Sequence, residues 1–327
     1  VNERVVVTGA AGFIGSHLCE RLLDEGYTVV GVDSFTDYYD PARKRLHLAT
    51  VAGRPAFTLV EDDLTRCDIG PLLDGARCVF HLAAQAGVRQ SWGSEFGRYL
   101  DSNVLATQRV LEALKERPSV KLVHSSSSSV YGETRTLPMR EDHPLVPVSP
   151  YGATKLSAEQ LCELYRINHG VSYVALRYFT VYGPRQRPDM AFSRFIVAAL
   201  AGRQIEVYGD GAQTRDFTYV SDAVAANIEA LAYDGGDRVF NIGGGSRASI
   251  LDVLGIIGAE IGGALKIEFR ERARGDVRDT WADTTRAARE LGYEPRIALA
   301  DGVRNEISWY RAYLATAEGG PRSHGAA

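Results

Sequence analysis

The stretch YGATK places Tyr151 and Lys155 four residues apart, at the start of an amphipathic segment that continues LSAEQLCELY. On a helix this spacing is about one turn, so the phenol and the ammonium share a face. A free phenol has a pKa of about 10 and is a poor base at neutral pH. A cation one turn away favours the phenolate. A tyrosine so assisted can take the proton of a substrate hydroxyl, provided that another group accepts hydride from the same carbon. Upstream, HSSSSSVYG follows the apolar VKLV, which places hydroxyls at the end of a strand. A serine hydroxyl there can donate and accept, and so aim a substrate hydroxyl at Tyr151. A Tyr/Lys pair alone also fits an ordinary solvated helix face, and the serine cluster is what gives this one chemical meaning.

A hydride acceptor is implied further upstream. VVVTGAAGFIGSHL carries Gly9, Gly12 and Gly15 between a β-branched run and a helical pattern, with Phe13 and Ile14 opening the helix. Glycine permits the tight turn and lets the backbone approach a pyrophosphate, while the helix N-terminus favours its charge. The triplet alone is weak, but strand, helix and next strand all fall where a dinucleotide site needs them. That next strand, YTVVGVD, ends in Asp33, whose carboxylate can accept from ribose hydroxyls and would repel a 2′-phosphate; this favours NAD over NADP. The basic residues Arg43, Lys44 and Arg45 follow closely and are expected to face water. The positive nicotinamide of bound NAD would join Lys155 in stabilising the Tyr151 phenolate.

These groups need a scaffold that gathers strand ends. RVVVTG, SHLCERLLDEG, YTVVGVD, CVFHLAA, NVLATQRVLEALKE and VKLVHSS alternate short β-branched runs with helical patterns. The alternation predicts an α/β fold, a Rossmann-type doubly wound parallel sheet, with a smaller C-terminal substrate-binding part. Residues 1–180 read mainly as the NAD-binding domain carrying Ser, Tyr and Lys; residues 181–315 read mainly as the substrate part, with some return to the first domain. The end, TAEGGPRSHGAA over 316–327, offers little to bury and is expected to be disordered.

Composition narrows the class. The 327 residues carry a net charge of -4 with basic residues spread out, which favours neither nucleic acid nor an anionic membrane. Cys19, Cys67, Cys78 and Cys162 lie far apart with no metal-ligand spacing, as expected of reduced, buried thiols and of no bound metal. No run approaches the roughly 20 apolar residues of a membrane span, and the start has no long apolar leader core. A soluble cytoplasmic protein is expected.

With these motifs in place, the chain resembles the extended short-chain dehydrogenase/reductase superfamily, specifically its nucleotide-sugar 4-epimerases. The resemblance runs from about Arg4 to about Tyr313 and is carried by TGAAGFIG, HLAA, SSSSSVYGE, YGATK, RYFTVYGP, RDFTYVSD and NIGGG in combination. It implies NAD held through turnover and a catalytic group of Ser127, Tyr151 and Lys155, with Ser128 able to share the serine role. It also implies cofactor contacts from Asp63 and Leu64 at the adenine, from Leu82, Ala83 and Ala84 in the cleft, from Tyr178, and from Asn103, the family's structural asparagine.

Relatives that dehydrate or decarboxylate the 4-keto sugar carry acidic residues in the segment where this chain has Ser128 and Ser129, so simple hydride return, an epimerisation, is implied. Arg215, Arg274 and Asp276 resemble diphosphate and nucleoside contacts, although arginines in basic stretches are often solvated; Arg89 joins the implied substrate contacts. RYFTVYGPRQRPDMAF, DYYDPARKRLHL and AGVRQS resemble the epimerases acting on UDP-glucuronic acid. Arg187 then resembles the contact to the sugar carboxylate, with Thr180, Met190 and Phe192 beside it. Thr180 replaces the asparagine of galactose-type epimerases, Arg185 and Gln186 stand where this subgroup often has an aromatic and a glycine, and epimerases of other specificity share RQRPDM.

Three alternatives stay open: a UDP-glucose or TDP-hexose epimerase, a plain NAD(P)-dependent reductase, and a non-catalytic NAD-binding sensor or scaffold. The helices beginning near Tyr99 and Tyr151 resemble those that pair such enzymes into homodimers through a four-helix bundle.

Overall fold

The structure is a computed structural model that describes residues 3–134, 136–245, 247–272 and 275–318. Its strands in chain order are β1 (Arg4–Thr8), β2 (Thr28–Asp33), β3 (Phe57–Glu61), β4 (Ala76–His81), β5 (Lys121–Ser127), β6 (Tyr173–Tyr178), β7 (Thr180–Tyr182), β8 (Ile205–Tyr208), β9 (Thr214–Tyr219), β10 (Val239–Ile242), β11 (Arg247–Ser249) and β12 (Ile267–Arg270). Seven of them form one parallel sheet in the order β10-β6-β5-β4-β1-β2-β3. The chain winds outward from β1 to β3 and then crosses to β4 on the other side, so the order reverses between β1 and β4. Such a reversal opens a crevice at the carboxyl ends of the strands.

Helices cover both faces, which explains the continuous apolar runs in place of alternation. Val5 and Val7 enter one core with Leu18 and Leu22 of the helix Phe13–Asp24. Val6, between them, enters the other with Val110 and Leu114 of the helix Ala106–Lys115. Both cores are dry: all seven side chains are at most 1% exposed.

Beyond Tyr178 the chain builds two small sheets, β11-β9-β7 and β12-β8, around the open end of the crevice. The segment Val239–Ile242 then returns to the edge of the main sheet beside β6. The last helix, Leu299–Glu318, includes residues 316–318, so the expected disordered end is helical for these three; residues 319–327 lie outside the described residues. The four cysteines are buried and unpaired. Among the described residues no helix is long and apolar enough to cross a membrane.

Candidate active site

The glycine turn forms because only glycine fits it. Gly9 has φ +70°, and a Cβ there would stand 2.8 Å from the Ala83 amide nitrogen; a Cβ on Gly15 would stand 2.1 Å from the Gly9 carbonyl oxygen. The helix that follows opens at Gly12 with no side-chain cap, leaving its N-terminal dipole to whatever anion enters. At the end of β2, Asp33 accepts from the Ala11 amide at 3.0 Å and the Phe35 amide at 2.9 Å.

The expectation that Arg43, Lys44 and Arg45 face water is corrected for the first two. Lys44 is 7% exposed, its ammonium 3.6 Å from Asp33 Oδ1 and donating to Thr36. Arg43 is 8% exposed beneath Trp309, Tyr310 and Tyr313 of the last helix, whose rings stack against its guanidinium at 5.2–5.5 Å. Only Arg45 stays outside, paired with Glu61. The short helix is buried on two sides, which its local pattern does not reveal.

The Tyr–Lys helix, Pro150–His169, is delimited by sequence chemistry. Ser149 accepts from the Gly152 amide at 3.1 Å as N-cap, Pro150 occupies the first turn, and Gly170 ends it in the left-handed region at φ +73°. Tyr151 and Lys155 thus stand at its start, facing the ends of β5 and β6. Lys155 is 5% exposed and donates to the Ser125 carbonyl at 2.9 Å. Burial pulls its pKa down to about 8, against the opposing charge of Glu159 one turn on. Burial raises the Tyr151 phenol, and the Ser127 hydroxyl and the Arg187 charge work against that rise. Ser127 Oγ accepts from the Ser129 amide at 3.1 Å, so its proton is directed elsewhere. Ser127 and Ser128 both line the cleft beside Tyr151.

These groups line one cleft of about 930 Å³. Its cofactor end holds Gly9, Gly12, Phe13, Ile14, Gly15, Asp33, Asp63, Leu64, Leu82, Ala83, Ala84 and Tyr178; its middle holds Ser127, Ser128, Tyr151 and Lys155. The far end holds Arg89, Thr180, Arg187, Met190, Phe192, Arg215 and Asp276. Arg89 binds Asp276 at 2.7 Å and lies 4.1 Å from the centre of the Tyr208 ring. Arg215 donates to the carbonyls of Thr214, Val277 and Arg278, tying β9 to the segment that carries Asp276. Arg274 lies outside the described residues.

Asn103 lies behind the residues that line the cleft. It is 1% exposed, on a π-helical stretch Leu100–Leu105, and its amide is fully used. Its oxygen accepts from the Gln85 amide at 2.8 Å; its nitrogen donates to the Gln85 carbonyl at 3.0 Å and to Thr154 Oγ at 2.9 Å. Thr154 in turn donates to the Tyr151 carbonyl at 2.8 Å. Asn103 therefore holds the first turn of the Tyr–Lys helix.

Sequence reasoning passed over Asp189 and the bracing partners of Gln186 and Arg185. Asp189 grips Arg187 with two hydrogen bonds of 3.0 Å and accepts from Tyr38 at 3.1 Å. Gln186, 1% exposed, braces the same loop from Val181 to Ser193. Arg185, at φ +67°, reaches back to Glu20 at 2.6 Å and Ser16 at 3.3 Å on the glycine-turn helix. Asp189 stands in the same string as Arg187, two residues on, but that spacing alone does not tell a bidentate partner from an ordinary loop acid. Behind Lys155, Glu159 and Arg177 form a buried fork at 2.7 and 3.0 Å, joined by Ser126.

A glycine cradle, an acidic strand end and a Ser–Tyr–Lys cluster on one Rossmann-type sheet form an arrangement suited to a nicotinamide dinucleotide and to proton transfer beside it. The chain belongs to the NAD dependent epimerase/dehydratase family, whose profile matches residues 5–243. It is 44% identical over 309 residues to the uncharacterized UDP-glucose epimerase YtcB of Bacillus subtilis (strain 168), covering 94% of this chain and 97% of that protein. It is 38% identical to the UDP-glucuronate 4-epimerase of Thermodesulfobacterium geofontis (strain OPF15), covering 93% and 95%. The crystal structure of UDP-glucuronic acid 4-epimerase from Bacillus cereus with UDP-glucuronic acid and NAD superposes with a TM-score of 0.91 at 41% identity, covering 95% and 99%.

Proposed function

We propose that this protein is an NAD-dependent 4-epimerase that interconverts UDP-glucuronic acid and UDP-galacturonic acid. The observation that carries the choice of sugar is Arg187: a guanidinium at the far end of the cleft, near enough to Tyr151 to act on its phenol. A cation there suits a C6 carboxylate. The cradle formed by Gly9, Gly12 and Gly15, with Asp33 and Lys44 at the ribose end, fits NAD, which supplies the chemistry of taking hydride from C4 and returning it.

The chain's own residues do the rest. Ser127 directs the C4 hydroxyl, Tyr151 receives its proton and later gives it back, and Lys155 keeps the phenol acidic enough to do both. Arg89 and Arg215 serve the diphosphate, so the nucleotide stays fixed while the 4-keto sugar turns over. A 4-keto uronic acid is a β-keto acid and can lose its carboxylate. Arg187, with Thr180 and Ser128, holds that group where C–C cleavage is badly aligned. No acidic residue occupies the Ser128–Ser129 segment to divert the intermediate.

Incubation of the purified protein with UDP-glucuronic acid and no added NAD is expected to give a new peak of unchanged mass on chromatography with mass spectrometry. Arg187→Ala is expected to lose that activity while keeping turnover of UDP-glucose. Equal losses on both sugars, or a decarboxylated main product, count against the assignment.

Assembly and location complete the proposal. Leu100, Leu105, Leu164 and Ile167 are 42–62% exposed on the two helical segments expected to pair. They support a two-fold homodimer through a four-helix bundle; a monomer mass by light scattering contradicts it. The four unpaired cysteines support a reducing, cytoplasmic location.

A further inference from the structure

Arg187 enters the cleft already paired. Its Nε and Nη2 donate to the two oxygens of Asp189, each at 3.0 Å, and Tyr38 donates to Asp189 Oδ2 at 3.1 Å. The side chains of Arg187 and Asp189 are 20% and 28% exposed, and both line the cleft with Tyr38. The pair is crowded as well: a Cβ on Gly87 would stand 2.7 Å from the Tyr38 hydroxyl and 3.8 Å from Asp189 Oδ2. This geometry has two effects. The Nε–Nη2 edge of the guanidinium is taken by Asp189, so its remaining donors, on Nη1 and the second proton of Nη2, form the edge available to a ligand. Its charge is cancelled by a carboxylate held in place by Tyr38, so an incoming anion meets hydrogen-bond donors but little net positive field.

We propose that Asp189 sets the sugar specificity of the site: by neutralising Arg187 it weakens the preference for an anionic C6 group and lets the same pocket receive a neutral hexose. The inference rests on the assignment of the far end of the cleft to C6. An unpaired arginine would bind a uronate strongly and pay the cost of desolvation when a neutral C6 hydroxymethyl group covers it. The Arg187–Asp189 pair avoids both extremes. Neutral sugar leaves the pair intact; the uronate carboxylate shares the guanidinium with Asp189 and is repelled by it.

The test is the ratio of KM for UDP-glucose to KM for UDP-glucuronate, with kcat measured for each. Asp189→Asn keeps an oxygen to hold Arg187 and removes the charge, and the ratio is expected to rise about ten-fold, equivalent to about 1.4 kcal/mol. Asp189→Glu, which keeps the charge, is expected to remain close to the parent ratio, and Asp189→Ser, which removes the charge differently, to move as Asp189→Asn does. A merely structural role would raise both KM values together, and that result, or a fall in the ratio for Asp189→Asn and Asp189→Ser, overturns the proposal while the epimerase assignment stands. A parent protein that turns over UDP-glucose but never UDP-glucuronate overturns the C6 assignment itself, and the role of Asp189 with it.

Discussion

Replacing His124 by leucine is expected to make the protein more resistant to acid. His124 sits in β5, 1% exposed, and among the described residues neither ring nitrogen has a hydrogen-bond partner. Its ring lies 5.7 Å from that of His81, and the Lys155 ammonium stands near both. Burial first, then the charge of Lys155, then His81, hold its pKa well below the ordinary 6.5. His81 is pushed down to about 3 by burial and Lys155; it is also fixed between Thr8 and Thr107, at 2.8 and 3.1 Å. A histidine neutral in the folded state but free to titrate in the unfolded chain costs nothing above its unfolded pKa. Below that value the unfolded chain binds the extra proton, and stability falls by about 1.4 kcal/mol per pH unit.

For one such residue the loss is about 1.4 kcal/mol at about pH 5.5 and close to zero at about pH 7.5. Other buried groups complicate the absolute profile: His47 behaves like His124, and Glu306, whose pKa burial raises, pulls the opposite way. They are common to both proteins and cancel in the difference. Equilibrium urea unfolding of His124→Leu and the parent, followed by circular dichroism and tryptophan fluorescence, is expected to show the stability gap shifting toward the variant by about 1.4 kcal/mol between those pH values. A gap that does not change with pH refutes the reasoning, since it means that His124 titrates alike folded and unfolded.

Three further outcomes are expected. Tyr151→Phe is expected to lower kcat by about 10²–10⁴-fold with the NAD content unchanged, read from turnover and from the absorbance of the purified protein. Lys155→Met removes the cation that favours the phenolate, so the rise of kcat with pH is expected to move to higher pH; an unmoved profile argues that Lys155 only holds Ser125. Gly15→Ala drives a Cβ into the Gly9 carbonyl, 2.1 Å away, and is expected to yield protein purified without NAD and with a lowered melting temperature.

The cofactor end was legible because its determinants are local. A β-branched strand, a glycine turn and an acidic strand end occupy one short stretch, and their pattern dictates their geometry. The same holds for Tyr151 and Lys155, placed by one helix that the sequence itself starts at Ser149–Pro150 and stops at Gly170. Away from these local patterns, at either end of the cleft, residue types were legible but their partners were not. Lys44 turns inward because its helix is pressed between Asp33 and the last helix, which lies far along the chain. Asn103 retreats behind the cleft because Gln85 and Thr154 consume its amide, and neither partner is close to it in sequence. Asp189 was overlooked for the opposite reason: two residues from Arg187, it reads as an ordinary loop acid until the bidentate pair is seen.

The tie from Arg185 to Glu20 and Ser16, reinforced by His17, which meets the Pro184 carbonyl at 2.9 Å, gives the cleft a common datum. The loop bearing Arg187 is fastened to the very helix that opens at the glycine turn. On the proposed reading, a small slide of that helix is expected to carry the Arg187 loop with it, so that the cofactor cradle and the sugar end shift as one unit.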